Sequence, residues 1–467
     1  MSSALEGIYE PGIVDPGFPS PNSTHPFWHS QPHLHTNHRS EWPAGVSDIV
    51  IIGAGITGMN LVCTLLKKQP KLRIVVIEAR GLCSGTTSCN GRHCKTMTWA
   101  MWEERKHSFG IEEAMHISAF EHAHLEAMAE AIREDGIDCD LVLTDGVEAY
   151  YDVKDFEKAV NVLDDMCAYV LHLAAKYMVH IDKNYLCKVL GLSDRAVGAI
   201  SILAALLWPY KWITSVLGSY IDHAKINVQT HTPVRSIIGN AEDSYATVRT
   251  DRGDIRANHI VHATNAWLSR LLPELRPFVS PVRGNVVSYA PTKTGNSKSA
   301  LGLSSKTSLW LRYGVKDCDY LIQREDGCAI VGRANNGRTA TGDDNKTDIS
   351  PMAHLRGFTH EAQAAPVSDA STPATHAWAG ILAFSQDAVP FAGRLPFPGR
   401  SHQWVCGEFH ATGMIKAFLT AQMVAGLILG EKPDNEFPRS IFVTPDRIRQ
   451  LRKSVESGKP VVIKAGL

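Results

Sequence analysis

Apolar runs recur along the chain, and their spacing predicts the elements around them. Residues 49–52 form an unbroken apolar run ending at a glycine, the pattern of a strand buried on both faces of a parallel sheet. Residues 58–68 carry apolar positions on one helical face, and residues 73–77 read as a second buried strand. Helical periodicity returns over 111–134, stopping at Gly136, and again over 155–178 and 210–224. Short strands are expected at 226–228, 234–238, 246–249 and 255–263, a small β-meander whose last strand rejoins the main sheet. Alternation over 279–289, 320–322 and 329–331 predicts a second, mostly antiparallel sheet. A strand at 404–406 leads into a helix that ends at Gly430, with Thr412 as its expected N-cap.

The segments between are less regular. Residues 1–46 are rich in Pro, Ser, Asn, Gly and His without a period, so an extended surface arm or partial disorder is expected. Its histidines are irregularly spaced and read as solvated rather than metal-binding. Residues 335–348 are polar and predict a mobile loop. His116, His122 and His124 are expected on the helix surface. Trp208 and Tyr210 belong to an aromatic cluster that either lines a substrate site or packs a domain junction.

Composition narrows the class. The 467 residues suffice for two or three domains. Lys and Arg (47) balance Asp and Glu (48), which argues against nucleic acid or an anionic membrane as the main partner. Ten scattered cysteines read as reduced thiols, and the most apolar run, 196–208, is too short to cross a bilayer. A soluble, cytoplasmic protein is the expectation.

The candidate chemistry sits on the first βαβ unit. Gly53, Gly55 and Gly58 form G-x-G-x-x-G between strand and helix, the context in which backbone amides and a helix N-terminus receive a pyrophosphate. Glu78 ends the second strand 20 positions after Gly58, where a carboxylate meets ribose hydroxyls. A tight strand–helix turn that binds nothing has no need of that acid. Downstream, Cys89, His93 and Cys94 lie in a glycine- and hydroxyl-rich loop. No matching second cluster supports zinc, and no metal is expected.

Taken together, these blocks resemble the FAD-dependent oxidoreductases of the D-amino-acid-oxidase-like superfamily. The nearest likeness is to a fungal branch related to sarcosine oxidase and γ-glutamylputrescine oxidoreductase. The likeness rests on the 51–58 glycine block, the Asn90–Lys95 loop, Trp208 with Tyr210, Ala263 with Thr264, the 281–284 and 380–393 blocks, and Gly413 with Met414. It implies an α/β fold: an FAD-binding Rossmann-like domain of glutathione-reductase type plus a sheet-rich α+β substrate domain. The FAD-binding domain is expected to be discontinuous, over 47–105, 205–275 and 376–435. The substrate domain and a helical insert would take 106–204 and 276–375, and 436–467 would be a C-terminal tail.

By the same resemblance, Gly53, Gly55, Thr57, Gly58, Glu78 and Arg80 would hold the ADP half of FAD. Val234 would meet the adenine, and Ala263 and Thr264 the pyrophosphate. Asn90, Gly91 and His93 would lie beside the flavin ring, and Thr412, Gly413 and Met414 at its pyrimidine edge. His93 is the candidate proton acceptor and Arg283 a weaker candidate for a substrate carboxylate. Three departures from the family pattern stand out. Cys89 and Arg92 replace the loop's usual arginine and second glycine, and Ala411-Thr412 replaces Gly-His. Arg92 either stabilises the reduced ring or obstructs the substrate face. Sarcosine-oxidase-like members tether flavin through a cysteine at the position of Gly380, so non-covalent FAD is expected.

The implied reaction is oxidation of a C–N bond in an amine or amino-acid-like small molecule, with dioxygen or another electron acceptor reoxidising the flavin. One alternative keeps FAD but oxidises a non-amine intermediate of specialised metabolism. Another is a flavin-binding protein without turnover. A nicotinamide dehydrogenase leaves the Gly413 block unexplained.

Overall fold

A computed structural model describes residues 15–96, 98–239, 242–291, 293–294, 297–298, 307–314, 317–334, 340–357, 374–459 and 461. Residues 1–14 of the expected arm, 335–339 of the expected loop and 460 and 462–467 of the expected tail lie outside them.

Two sheets organise the chain. The first has eight strands, with Val46–Ile52 at its centre, paired in parallel to Ile74–Ile77 on one side and Gly253–His262 on the other. Ile49 and Ile51 join one buried cluster with the helices, while Val50 and Ile52 join another with Val234, Ala246 and Val248. The unbroken apolar run therefore fills both faces, as a central parallel strand requires. Gly253–His262 pairs antiparallel with Ala246–Thr250 at its start and parallel with Val46–Ile52 along its length. That double pairing joins the small meander to the main sheet. Helices Ile56–Lys68 and Ala417–Ile428 pack together over one face.

The second sheet has nine strands and is antiparallel except where Thr307–Gly314 runs alongside Val142–Tyr150. Val279–Tyr289 is buried at every position and sits between Ala374–Ser385 and Ala329–Ala334. Strands His93–Cys94 and Ala374–Ser385 both belong to this sheet. The expected boundaries at 105 and 376 thus miss the crossings: the chain enters the second sheet by residue 93 and is still in it at 385.

The termini are more integrated than their composition suggests. Trp28 is fully buried; its Nε1 donates to the Asn90 carbonyl (2.7 Å), and its own carbonyl accepts from Trp208 Nε1 (2.9 Å). Tyr210 is buried beside them, so the aromatic cluster is a packed junction. The expected tail contains a helix, Pro445–Ser457, capped by the Thr444 side chain. Its Arg447 directs two nitrogens at Asp387 (2.8 and 3.0 Å) and the rest at the carbonyls of Val389, Pro390 and Ile441. A guanidinium with every donor used locks this helix to the core.

Three further expectations are corrected. His124 is fully buried, not on a surface face. Asp344, in the expected mobile loop, is buried in an ion pair with Arg80. Thr412 does not cap a helix: its hydroxyl donates to the Phe409 and His410 carbonyls, a single 3-10 turn follows, and the α-helix starts only at Ala417. No disulfide forms among the described residues, and no described helix is long and apolar enough to cross a membrane.

Candidate active site

One elongated cavity of about 820 Å³ runs between the two sheets, and Gly55 and Gly413 both line it. At its first end the strand Val46–Ile52 delivers Gly53, whose φ of +113° only glycine adopts readily. A Cβ there would lie 2.5 Å from the Ala263 carbonyl, and one at Gly58 would lie 2.0 Å from the Gly53 carbonyl. These contacts leave room for nothing larger than hydrogen, so the turn stays tight and the helix N-terminus faces the cavity. Glu78 accepts from the Ala54 and Arg80 amides at 3.0 and 3.1 Å. Thr57, Val234, Ala263 and Thr264 line the same end, and the buried Thr264 hydroxyl has no protein partner. An open glycine cradle, an acid at the strand end and an unpartnered hydroxyl fit the ADP half of a dinucleotide.

Arg80 also lines this end, but its guanidinium is committed elsewhere. It donates to Asp344 (2.8 Å) and to the Ser20 and Ser84 carbonyls. Here it acts as a strut under the cavity wall.

The middle of the cavity is made by the 89–95 loop. Asn90 shapes that loop, its amide donating to the Thr87 carbonyl and its oxygen accepting from the Arg92 amide. Gly91 abuts Tyr320, whose ring would lie 2.5 Å from any Cβ added there. Arg92 has φ +74° and turns its side chain out of the cavity to the Asp140 carbonyl. It therefore neither caps nor obstructs the space. A Cβ at Gly380 would lie 2.7 Å from the Cys89 side chain, which closes this position to a tethering residue. Burial pushes the thiols of Cys89 and Cys94 up to about 12, so both stay protonated. No group of three or more His, Cys, Asp or Glu side chains able to hold a metal occurs among the described residues.

His93 faces the cavity, with Nδ1 2.5 Å from the Ser308 hydroxyl and a buried Nε2 that has no protein partner. Burial first, then Lys95 and Arg92, hold its imidazole well below the usual histidine range. It is neutral and poorly suited to collecting a proton. Arg283 lies outside the cavity lining. It is buried in an ion pair with Asp348 (2.7 Å) and donates to the Asp343 carbonyl, so it is a structural arginine.

The far end turns on residues 408–416. Glu408, His410 and Ala411 all have positive φ, a run of left-handed backbone that leads to Thr412, Gly413 and Met414 in the cavity wall. Behind them Lys416 lies 3.4 Å from Glu121, which Arg105 grips with two nitrogens at 2.6 and 3.0 Å. The helix Ala417–Ile428 begins here, and His124 accepts from its Leu419 amide at 3.2 Å. That helix end and its cations place positive potential at this edge.

Sequence reasoning passed over Lys95, Trp310, Arg312 and Tyr320, which the second sheet adds to the lining. For Lys95 a signal existed: in an extended segment it falls two positions after His93, on the same face. The others come from strands whose alternation says nothing about which face meets a ligand.

Comparison with known proteins agrees with this arrangement. A family profile described as FAD dependent oxidoreductase matches residues 48–427. The chain is 25% identical over 222 residues to a glycine oxidase of Pseudomonas aeruginosa, a match covering 47% of this chain and 54% of that protein. It therefore spans about half the length of that relative. It is 22% identical over 400 residues to a probable oxidoreductase, OrdL, of Rhizobium meliloti, covering 85% of this chain and 86% of the relative. The crystal structure of glycine oxidase from Geobacillus kaustophilus superposes with a TM-score of 0.66 at 20% identity, over 85% of this chain and 98% of that one, a likeness of fold.

Proposed function

The chain belongs to the FAD-dependent oxidoreductase family, and from that premise we propose that it oxidises a C–N bond of an amine or amino-acid-like small molecule. One observation carries the reading. The glycine cradle of the first sheet and the Gly413 turn open onto a single cavity, to whose wall the second sheet adds Lys95, Trp310, Arg312 and Tyr320. FAD supplies the capacity to accept a hydride, and the protein orients the substrate and sets its protonation.

Gly53, Gly55, Gly58 and Glu78 would hold the ADP half, with Val234, Ala263 and Thr264 beside it. Asn90, Gly91 and His93 would flank the ring, and Thr412, Gly413 and Met414 would meet its pyrimidine edge. Binding is non-covalent, since the tethering position is a glycine packed against Cys89. Tyr320 and Trp310 lend the middle of the cavity an apolar wall, beside which charge interactions are stronger than in open water. Dioxygen or another acceptor completes the cycle.

The test is spectroscopic. The purified protein should be yellow, and acid precipitation should release the colour to the supernatant. Under anaerobic conditions a panel of amines and amino acids should bleach the flavin. Bound FAD that photoreduces normally but is bleached by no member would exclude amine oxidation.

A further inference from the structure

Lys95 follows the short strand His93–Cys94 and projects into the same cavity as His93. Both side chains meet Trp310: the lysine Nζ lies 4.7 Å from that ring's centroid, and the His93 ring centroid lies 6.5 Å away. The lysine is buried, and among the described residues its one side-chain hydrogen bond is a long one to the Val147 carbonyl, 3.4 Å. No ion pair among the described residues includes it. The nearby acid, Glu148, is taken up by Arg312 Nε and the Tyr150 hydroxyl, each at 3.3 Å. A primary amine thus stands in the cavity, weakly held and with no described carboxylate in an ion pair with it.

We propose that Lys95 takes the proton from the substrate's ammonium group, leaving the neutral amine whose adjacent C–H is oxidised; this rests on the amine reading above. The substrate N–H bond breaks and an Nζ–H bond forms. The electron pair of the broken bond stays on the substrate nitrogen, and Lys95 leaves the step as an ammonium. An amine enters at neutral pH as its cation, whose nitrogen has no lone pair to support loss of hydride, so some group must do this.

The surroundings suit the task. Burial dominates and lowers the Nζ pKa to about 7, with Arg312 acting in the same direction. Glu148 and Cys318 oppose it from the neighbouring strands, and His93 and Arg92 lie on Lys95's own segment. Sign follows from direction: the lysine accepts a proton only when neutral, so the chemical step speeds up as pH rises through about 7.

The experiment is anaerobic stopped-flow bleaching of the FAD-loaded enzyme against pH, with glycine, L-proline and benzylamine as probes. The wild type should show a limiting rate that rises through neutral pH. K95M should lose about 100-fold at pH 7, the lower end expected for one proton-transfer group, and shift its rise toward the amine's own pKa. K95R keeps a cation that cannot accept a proton and should behave like K95M. A K95R enzyme with the wild-type rate and profile would show that only a fixed charge is needed and overturn the assignment. An unchanged pH midpoint in K95M would overturn it too, while leaving amine oxidation intact. Bleaching by none of the probes overturns both readings together. A nitrogen-15 NMR titration of lysine-labelled holoenzyme gives a check without turnover: a midpoint near 7 that disappears in K95M is expected, and one at the ordinary lysine value refutes the proposal.

Discussion

Arg80 Nη1 lies 2.8 Å from Asp344 Oδ2, with both side chains buried, so the strand-end segment of the first sheet is bolted to a segment between two strands of the second. The arginine sits two residues after Glu78, and its amide donates to that carboxylate at 3.1 Å. The pair therefore supports the wall against which the dinucleotide would lie.

Breaking the pair by one side should be costly. R80M leaves a buried carboxylate without its cation and should lower stability by roughly 3–5 kcal/mol in urea denaturation. R80M combined with D344L removes both charges and should recover much of that loss. A double variant no more stable than the single one would show that Arg80 works through its carbonyl contacts instead.

His124 predicts an acid-sensitive fold. Its Nδ1–H donates to the Phe120 carbonyl (2.7 Å) while Nε2 accepts from Leu419, an arrangement only the neutral ring can make. Burial lowers its pKa to about 4, below the unfolded value of 6.5. The unfolded chain then binds the extra proton first, so the stabilisation is complete above about pH 6.5 and lost as pH falls toward 4. Between pH 7 and 5 the wild type should lose about 2 kcal/mol more than H124Q, measured as the difference in unfolding free energy.

Ala411 holds φ +59°, in the left-handed region that favours glycine. Left-handed backbone costs an alanine roughly 1–2 kcal/mol, partly offset because glycine frees the unfolded chain. A411G should stabilise the protein by about 1 kcal/mol in thermal or urea unfolding.

The Tyr320 ring is wedged between Gly91 and Gly332, where added Cβ atoms would lie 2.5 and 2.0 Å from it. G91A should displace the ring into the cavity and weaken FAD binding about tenfold or more, read by flavin fluorescence on titration. Adding Y320A should restore most of the binding, because that ring is the nearest clash, with the His93 ring next at 3.0 Å. Persistent weakness in the double variant would place the defect in the 89–95 loop itself.

The glycine-cradle end of the site was legible in the chain. Its parts are neighbours in sequence, and each carries a local reason: an apolar run that stops at a glycine, close-packed turns, an acid one strand later. Thr412 shows where such reading stops. A threonine before an apolar stretch signals a cap, but left-handed backbone at Glu408, His410 and Ala411 delays the helix to Ala417. His124 and Asp344 were misplaced for a related reason. Polarity alone argues for the surface, whereas their partners, Leu419 and Arg80, lie 295 and 264 positions away.

What the sequence determined by itself was the βαβ unit, the second antiparallel sheet and the glycine cradle, because strand burial, helix periodicity and steric need for glycine act over a few residues. Only the tertiary structure decided that Arg283 and Arg92 face away from the cavity while Lys95 faces in, and that Pro445–Ser457 is part of the core. Orientation and charge state depend on which distant groups desolvate or pair with a side chain, and that is set when the two sheets close on each other.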